Sequence, residues 1–478
     1  MVFAMTPDSS LTSMFSDLSS SSASSVYSLG SSLNGFLSPY LVLLAFLALV
    51  LVRLFRLLEP AEVPEVFHSS SGFAQEIVSK CPILAERYRP TSLWGKNRHI
   101  QIWSFGVLGR PSTPRPAHSL HAGVTDDGTR FTFGLFESKA RGAYVGVPVA
   151  KQPVTVLCPG IAGNSYSSYI QTYIDEMLKQ LPHSRVVSLN HVGTIKDEEL
   201  SSARIFSYGC TSEYSAVVDW TRERFPGHPL VAIGFSMGAN ILVKYLAERP
   251  ERQTWFKGAM SCCQSYSAKT LSCYLDSGVV PRLYSSVLVM FMRTVVSQHR
   301  GKLFGERARI SGAKNTLVRT TAATTPAVGG RVCSKNAVSC AGGSSCPVPP
   351  PDETRALSAH GMVTFDEYFS RRVWHFDSID EYYSSESCGT IMHKVTNVPI
   401  LFVNAADDPL VPAEALEFPL QHSRKNENSV FVKTRHGSHL AFYEGGVVIP
   451  NTVSWLDRLS VQYFRAILDM PAVSQGDH

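Results

Sequence analysis

The sequence predicts a doubly wound α/β fold: a mostly parallel sheet carrying a helical cap. Three observations lead there. Short apolar runs recur between turn residues, as in "TRFTFGLFES" (129–138), "PVTVLCPG" (153–160), "SRVVSLNHVG" (184–193), "PLVAIGFS" (229–236), "FKGAMSCC" (256–263), "VPILFVNA" (398–405) and "NSVFVKTRHG" (428–437). Helical stretches such as "YSSYIQTYIDEMLKQL" and "SEYSAVVDWTRERF" separate several of them, the alternation of βαβ units. One interval exceeds 130 residues, far more than a single crossover needs.

Taken in order, residues 1–35 are serine-rich, contain no Lys or Arg, and read as a disordered tail. "FLSPYLVLLAFLALVLV" (36–52) follows. Seventeen mostly apolar residues at about 1.5 Å each span roughly 26 Å, and adding "RLFRLL" with Arg53 and Arg56 snorkelling completes a membrane anchor over 36–58. A removable leader would need an early basic region and a small-residue cleavage site, and neither is present. Basic residues flank only the C-terminal side of the anchor, which favours a cytosolic domain. The first part of the core is expected over 59–265 and the second over 396–470, with a tail at 471–478. The cap is expected over 266–395, placed between the sixth and seventh core strands. Inside it, about 306–355 is rich in Ala, Thr, Gly, Ser and Pro and reads as a disordered insertion, whereas "VTFDEYFSRRVWHFDSIDEYY" carries seven aromatics and reads as folded.

Charge narrows the function. The net charge is +5, and residues 306–351 alone hold six Lys/Arg against Glu306, so the rest of the chain is balanced. A nucleic-acid partner is not expected. Ten cysteines at irregular spacings, with no C-x-x-C pair, read mostly as small buried hydrophobes. No metal cluster, P-loop or dinucleotide fingerprint is visible, so no cofactor is expected.

The chemistry lies at the strand ends. "VAIGFSMGAN" carries G-x-S-x-G after an apolar strand and before a helical pattern, the context of a strained strand-to-helix turn that exposes Ser236. A serine hydroxyl needs a base to take its proton. In this arrangement the acid and then the histidine follow in chain order. "HGSHLAF" after the last strand offers His436 and His439. His436 stands closer to the strand and is expected to shape the turn, leaving His439 as base. "NAADDPLVP" offers Asp407 and Asp408. The turn D-x-[IVL]-V-P fits from Asp408, so Asp408 is expected to orient His439, with Asp407 holding the turn or facing solvent. The backbone N–H groups of Met237 and of Ile161, in "CPGIAGN", are the expected oxyanion donors. His191 reads as structural. The H-x-x-x-x-D pair His375 and Asp380 lies in the cap, distant in sequence from Ser236.

"WGKNRHIQ", "CPGIAGNS", "LNHVG", "FSYGCTSEYSAVV", "GFSMGANILVKYL", "NAADDPLV" and "HGSHLAF" resemble, in the same order from about 70 to 465, the alpha/beta-hydrolase domain-containing proteins of the membrane-anchored monoacylglycerol lipase branch. The resemblance implies the alpha/beta-hydrolase fold, a nucleophile at Ser236, a base at His439 and an acid at Asp408. It further implies one N-terminal transmembrane segment of type II orientation in the plasma membrane or an endomembrane, acylglycerol ester substrates, and activation by steroid. The chain departs from the family in the long insertion. Two other readings stay open: an acyltransferase or ester synthase on the same triad, and a lipid- or steroid-binding receptor with vestigial hydrolysis.

Overall fold

Nine strands form a single sheet in a computed structural model that describes residues 39–56, 58–70, 72–107, 116–305 and 348–470. The expected tails at 1–35 and 471–478, and residues 306–347 of the expected insertion, lie outside the described residues. The strands are β1 (Glu65–His68), β2 (Ser119–Val124), β3 (Arg130–Glu137), β4 (Val154–Cys158), β5 (Arg185–Asn190), β6 (Leu230–Phe235), β7 (Phe256–Cys262), β8 (Ile400–Ala405) and β9 (Ser429–Thr434). They lie side by side in the order β1-β9-β8-β7-β6-β4-β5-β3-β2. From β5 across to β9 every neighbouring pair is parallel. The antiparallel pairings are at the margins: β1 on β9, and β3 with β2 and β5.

The helices of eight residues or more are α1 (Pro39–Leu54), α2 (Gly72–Lys80), α3 (Arg98–Val107), α4 (Ser168–Gln180), α5 (Ser212–Arg224), α6 (Met237–Glu248), α7 (Ala268–Leu275), α8 (Val279–Gln298), α9 (Ile379–Glu386), α10 (Glu417–Lys425) and α11 (Trp455–Leu468). Central strands β4, β5, β6 and β8 are buried along their whole length, as strands covered on both faces must be. Two apolar layers result. One packs α5, α6 and the cap onto the sheet around Tyr214, Tyr245 and Phe402. The other packs α2, α4 and α11 around Tyr173, Trp455 and Phe464.

The unit from Glu59 onward holds the sheet and all these helices but α1. Helix α1 belongs to a separate unit ending at Leu58. It covers sixteen of the residues expected to form the anchor, with Leu44, Phe46 and Leu49 among its exposed side chains.

The structure corrects the sequence reading in three places. The cap stands between β7 and β8, so of the seven runs recognised in sequence it follows the fifth and precedes the sixth, not the sixth and seventh. The residue interval marked the insertion, and the strand count was off by one. The expected disordered stretch to 355 runs too far, because Asp352 caps a helix at Glu353–Leu357 by accepting from the Arg355 N–H. Strands β1 and β2 went unrecognised. "EVFH" is four residues long directly after Pro64, and "SLHAGV" alternates half-buried with exposed positions at the sheet's edge.

Candidate active site

Every residue expected to do chemistry sits at the C-terminal edge of the parallel strands, where such sheets open their crevices. β6 ends at Phe235 and α6 begins at Met237, so the chain reverses at one residue, Ser236, with φ 53° and ψ −119°. That conformation is strained for a side-chain-bearing residue and holds the hydroxyl above the sheet. The flanking glycines answer to space. A Cβ on Gly238 would overlap the Cys158 and Pro159 carbonyl oxygens, and one on Gly234 would overlap the backbone of Gly238 and Ala239. Gly238→Ala is therefore expected to destabilise the fold by about 3 kcal/mol or more, read as a drop in the denaturation midpoint.

Three side chains from three loops meet above the sheet. His439 Nε2 lies 2.8 Å from Ser236 Oγ, and His439 Nδ1 lies 2.8 Å from Asp408 Oδ2. The other Asp408 oxygen accepts from the Leu410 N–H at 2.8 Å, which fixes the carboxylate's rotation. The Asp408 side chain is fully buried and the His439 side chain nearly so. Between them in sequence run α10 and β9, one helix and one strand.

The second aspartate does different work. Asp407 Oδ1 accepts from the Ser438 N–H at 2.8 Å, and Oδ2 faces His436 Nδ1 at 3.4 Å. The far nitrogen of His436 lies 3.3 Å from Glu59. Asp407 and His436 thus brace the turn that carries His439, and Asp407 is buried, which corrects the alternative that it faces solvent. The bracing has a purpose. Ser438, Leu440 and Phe442 all hold positive φ, and Gly437 at φ 146° could not carry a Cβ beside Phe442.

On the β4 side, the loop Pro159–Gly163 passes against Ser236. A Cβ on Gly160 would stand 3.3 Å from the serine's own Cβ. Tyr169 accepts from the Gly160 N–H at 2.8 Å, and the Gly163 N–H closes on the Gly160 carbonyl at 2.9 Å. Ile161, between them, lines the same cavity as Ser236, Met237 and His439. His191 is buried and directs Nε2 at the Pro159 carbonyl, 2.9 Å away, and burial holds its pKa low. It supports this loop and stands outside the cavity lining. Asp380 forms a surface ion pair with Lys269 at 2.8 Å, and neither it nor His375 lines the cavity.

The cavity runs from Ser236 up into the cap, where Leu271, Leu275, Leu288, Met292 and Met362 face it. Among the polar wall residues that the sequence did not single out, Asp366 is the one carboxylate. Burial pushes its pKa up to about 7, opposed by hydrogen bonds from Ser370 at 2.6 Å and Tyr383 at 3.1 Å, while the Glu386 charge raises it further. The only signal was an acid within an aromatic-rich stretch. A carboxyl whose folded pKa exceeds its unfolded value lends stability that is complete at low pH and is lost as pH rises toward the folded pKa. The chain should therefore lose stability between pH 4 and 7 through this group, at no more than about 1.4 kcal/mol per pH unit. Asp366→Asn should flatten that slope in denaturant unfolding at pH 5 and pH 8.

The cap is tied down beside the site by Glu386. Its carboxylate accepts from Ser207 Oγ and, at 2.6 Å, from the Gly209 N–H. Asn240 of α6 donates to the Tyr208 and Glu386 carbonyls at 3.0 and 2.8 Å.

Fold and strand-end site together define an alpha/beta hydrolase, and the sequence model of the alpha/beta hydrolase fold matches residues 153–273. Full-length relatives narrow the class. The monoacylglycerol lipase ABHD2 of Homo sapiens is 33% identical over 419 residues, spanning 87% of this chain and 89% of that protein. The abhydrolase domain-containing protein 2 of Drosophila melanogaster is 28% identical over 446 residues, 92% of this chain and 99% of that one. The phospholipase ABHD3 of Mus musculus is 23% identical over 409 residues, 86% and 85% of the two chains. The chain belongs to the alpha/beta-hydrolase domain-containing protein 2 family.

Proposed function

We propose that the chain is a membrane-anchored serine hydrolase that cleaves the ester bonds of acylglycerols. The observation that carries the reading is the unbroken run of hydrogen bonds from Asp408 through His439 to Ser236, ending in an apolar cavity. Ser236 attacks the ester carbonyl as His439 Nε2 takes its proton, and Asp408 holds the imidazole tautomer and stabilises the imidazolium. The Met237 and Ile161 N–H groups receive the oxyanion, with the N-terminus of α6 adding favourable field. His439 then protonates the leaving alcohol. Water enters, gives its proton to His439, and its oxygen attacks the acyl carbonyl to release the fatty acid and restore Ser236.

The substrate class rests on two supports. The cap wall is largely aliphatic, which suits an acyl chain, and relatives at 33% identity carry the name monoacylglycerol lipase. Helix α1, sixteen mostly apolar residues, serves as the anchor that holds the chain at the membrane. Purified protein offered mono-, di- and triacylglycerols should turn over monoacylglycerols, with no turnover by Ser236→Ala. Equal rates for the two proteins would overturn the assignment. A product that appears only when an alcohol is added would make the chain an acyltransferase instead.

A further inference from the structure

Helix α8, in the cap, has two unlike faces. Ser285, Val289, Met292 and Val296 are buried against the body of the protein, and Leu288 and Met292 line the cavity above Ser236. On the far side, Val279, Val280, Leu283, Val287, Met290 and Phe291 are exposed, Leu283 by 62% and Val279 by 76%. Steps of three and four residues put these six on one stripe. The helix is long and apolar enough to cross a bilayer, at mean hydropathy 1.4. Its buried face rules that out in the folded chain, because those side chains belong to the core layer beneath the cap. Such a helix can instead lie flat on a membrane.

Two further observations select the occupant. The helix carries Arg282 and Arg293 and no acidic residue, and no acid occurs in sequence between Asp276 and Glu306, which suits anionic headgroups. Beside it, His99 of α3 bonds Tyr284 of α8 at 2.6 Å, and Trp103, one turn along the same face of α3, is 64% exposed. An exposed tryptophan beside an apolar, cationic helix is the composition of an interfacial contact.

We propose that the outer face of α8, with Trp103, is a docking surface for an anionic lipid bilayer, laying the cap flat on the membrane and bringing the cavity to the interface. The functional meaning rests on the reading of Ser236 as nucleophile, whereas the docking does not.

The test uses the full chain with an environment-sensitive fluorescent amino acid at position 287, and a control at the exposed Lys179 of α4, which packs on the other face of the sheet. Vesicles of phosphatidylcholine with phosphatidylserine should blue-shift the fluorophore at 287, and spin-labelled lipid should quench it, with little change at 179. In parallel, Leu283→Glu/Val287→Glu should lower turnover of vesicle-embedded monoacylglycerol by about tenfold while leaving hydrolysis of a short water-soluble ester unchanged. A fluorophore at 287 that ignores vesicles overturns the proposal. So does a blue shift without lipid that grows with protein concentration, which would mark a second copy of the chain on this face. Equal quenching at 287 and 179 would overturn it in favour of adsorption with no preferred face. Loss of the soluble-ester activity already in the wild type would instead strike the catalytic reading and leave the docking result standing.

Discussion

Ser236→Ala should abolish labelling by a fluorophosphonate probe and lower kcat by roughly 10⁶-fold, while the folded chain persists. The hydroxyl is the only atom removed. The turn is set by Gly234 and Gly238, whose neighbours leave no room for a Cβ, and by the Ser236 N–H bonding the Cys262 carbonyl at 2.8 Å. Alanine keeps that backbone, so the melting temperature should move by no more than about a few degrees. Labelling of the variant at the wild-type rate would place the nucleophile elsewhere.

The second large effect separates two adjacent acids. Asp408→Asn should lower kcat by about 10⁴-fold, because an amide facing His439 Nδ1 stabilises the wrong tautomer and leaves the imidazolium without a counter-charge. Asp407→Asn should reduce kcat by about tenfold or less. Its carbonyl oxygen can still accept from the Ser438 N–H, so the loop keeps its main tie. What it loses is the carboxylate oxygen facing His436 Nδ1 at 3.4 Å, and the deficit should show more in thermal stability than in rate. Both variants can be measured on a soluble ester, and equal losses would contradict the division of labour between the two.

The placement of Asp408, rather than Asp407, beside His439 was legible in the sequence because of proline. Reading from Asp408 keeps Pro409, Leu410 and Val411 in the spacing of an acid turn, and Leu410 is the residue whose N–H fixes the carboxylate. The central strands were legible for a similar reason. Burial on both faces leaves β4, β6 and β8 as continuous apolar runs that stand out from their turns. Edge strands carry no such mark, so β1 and β2 were invisible until their partners were known. Asp366 was hidden for a different reason. Its raised pKa comes from burial in the cap and the nearby Glu386 charge, against the hydrogen bonds from Ser370 and Tyr383, and only the fold brings these together. The strained loop around His439 was likewise unreadable, since Ser438, Leu440 and Phe442 have ordinary side chains that give no sign of positive φ.

The central claim is that water resolves an acyl group carried on Ser236. The direct measurement is hydrolysis of a long-chain monoacylglycerol by the purified chain in ¹⁸O-labelled water, with and without added alcohol. The account predicts free fatty acid carrying one labelled oxygen from the wild type, and none above background from Ser236→Ala. Acyl transfer to the alcohol without labelled acid, or labelled acid from both proteins alike, would contradict it.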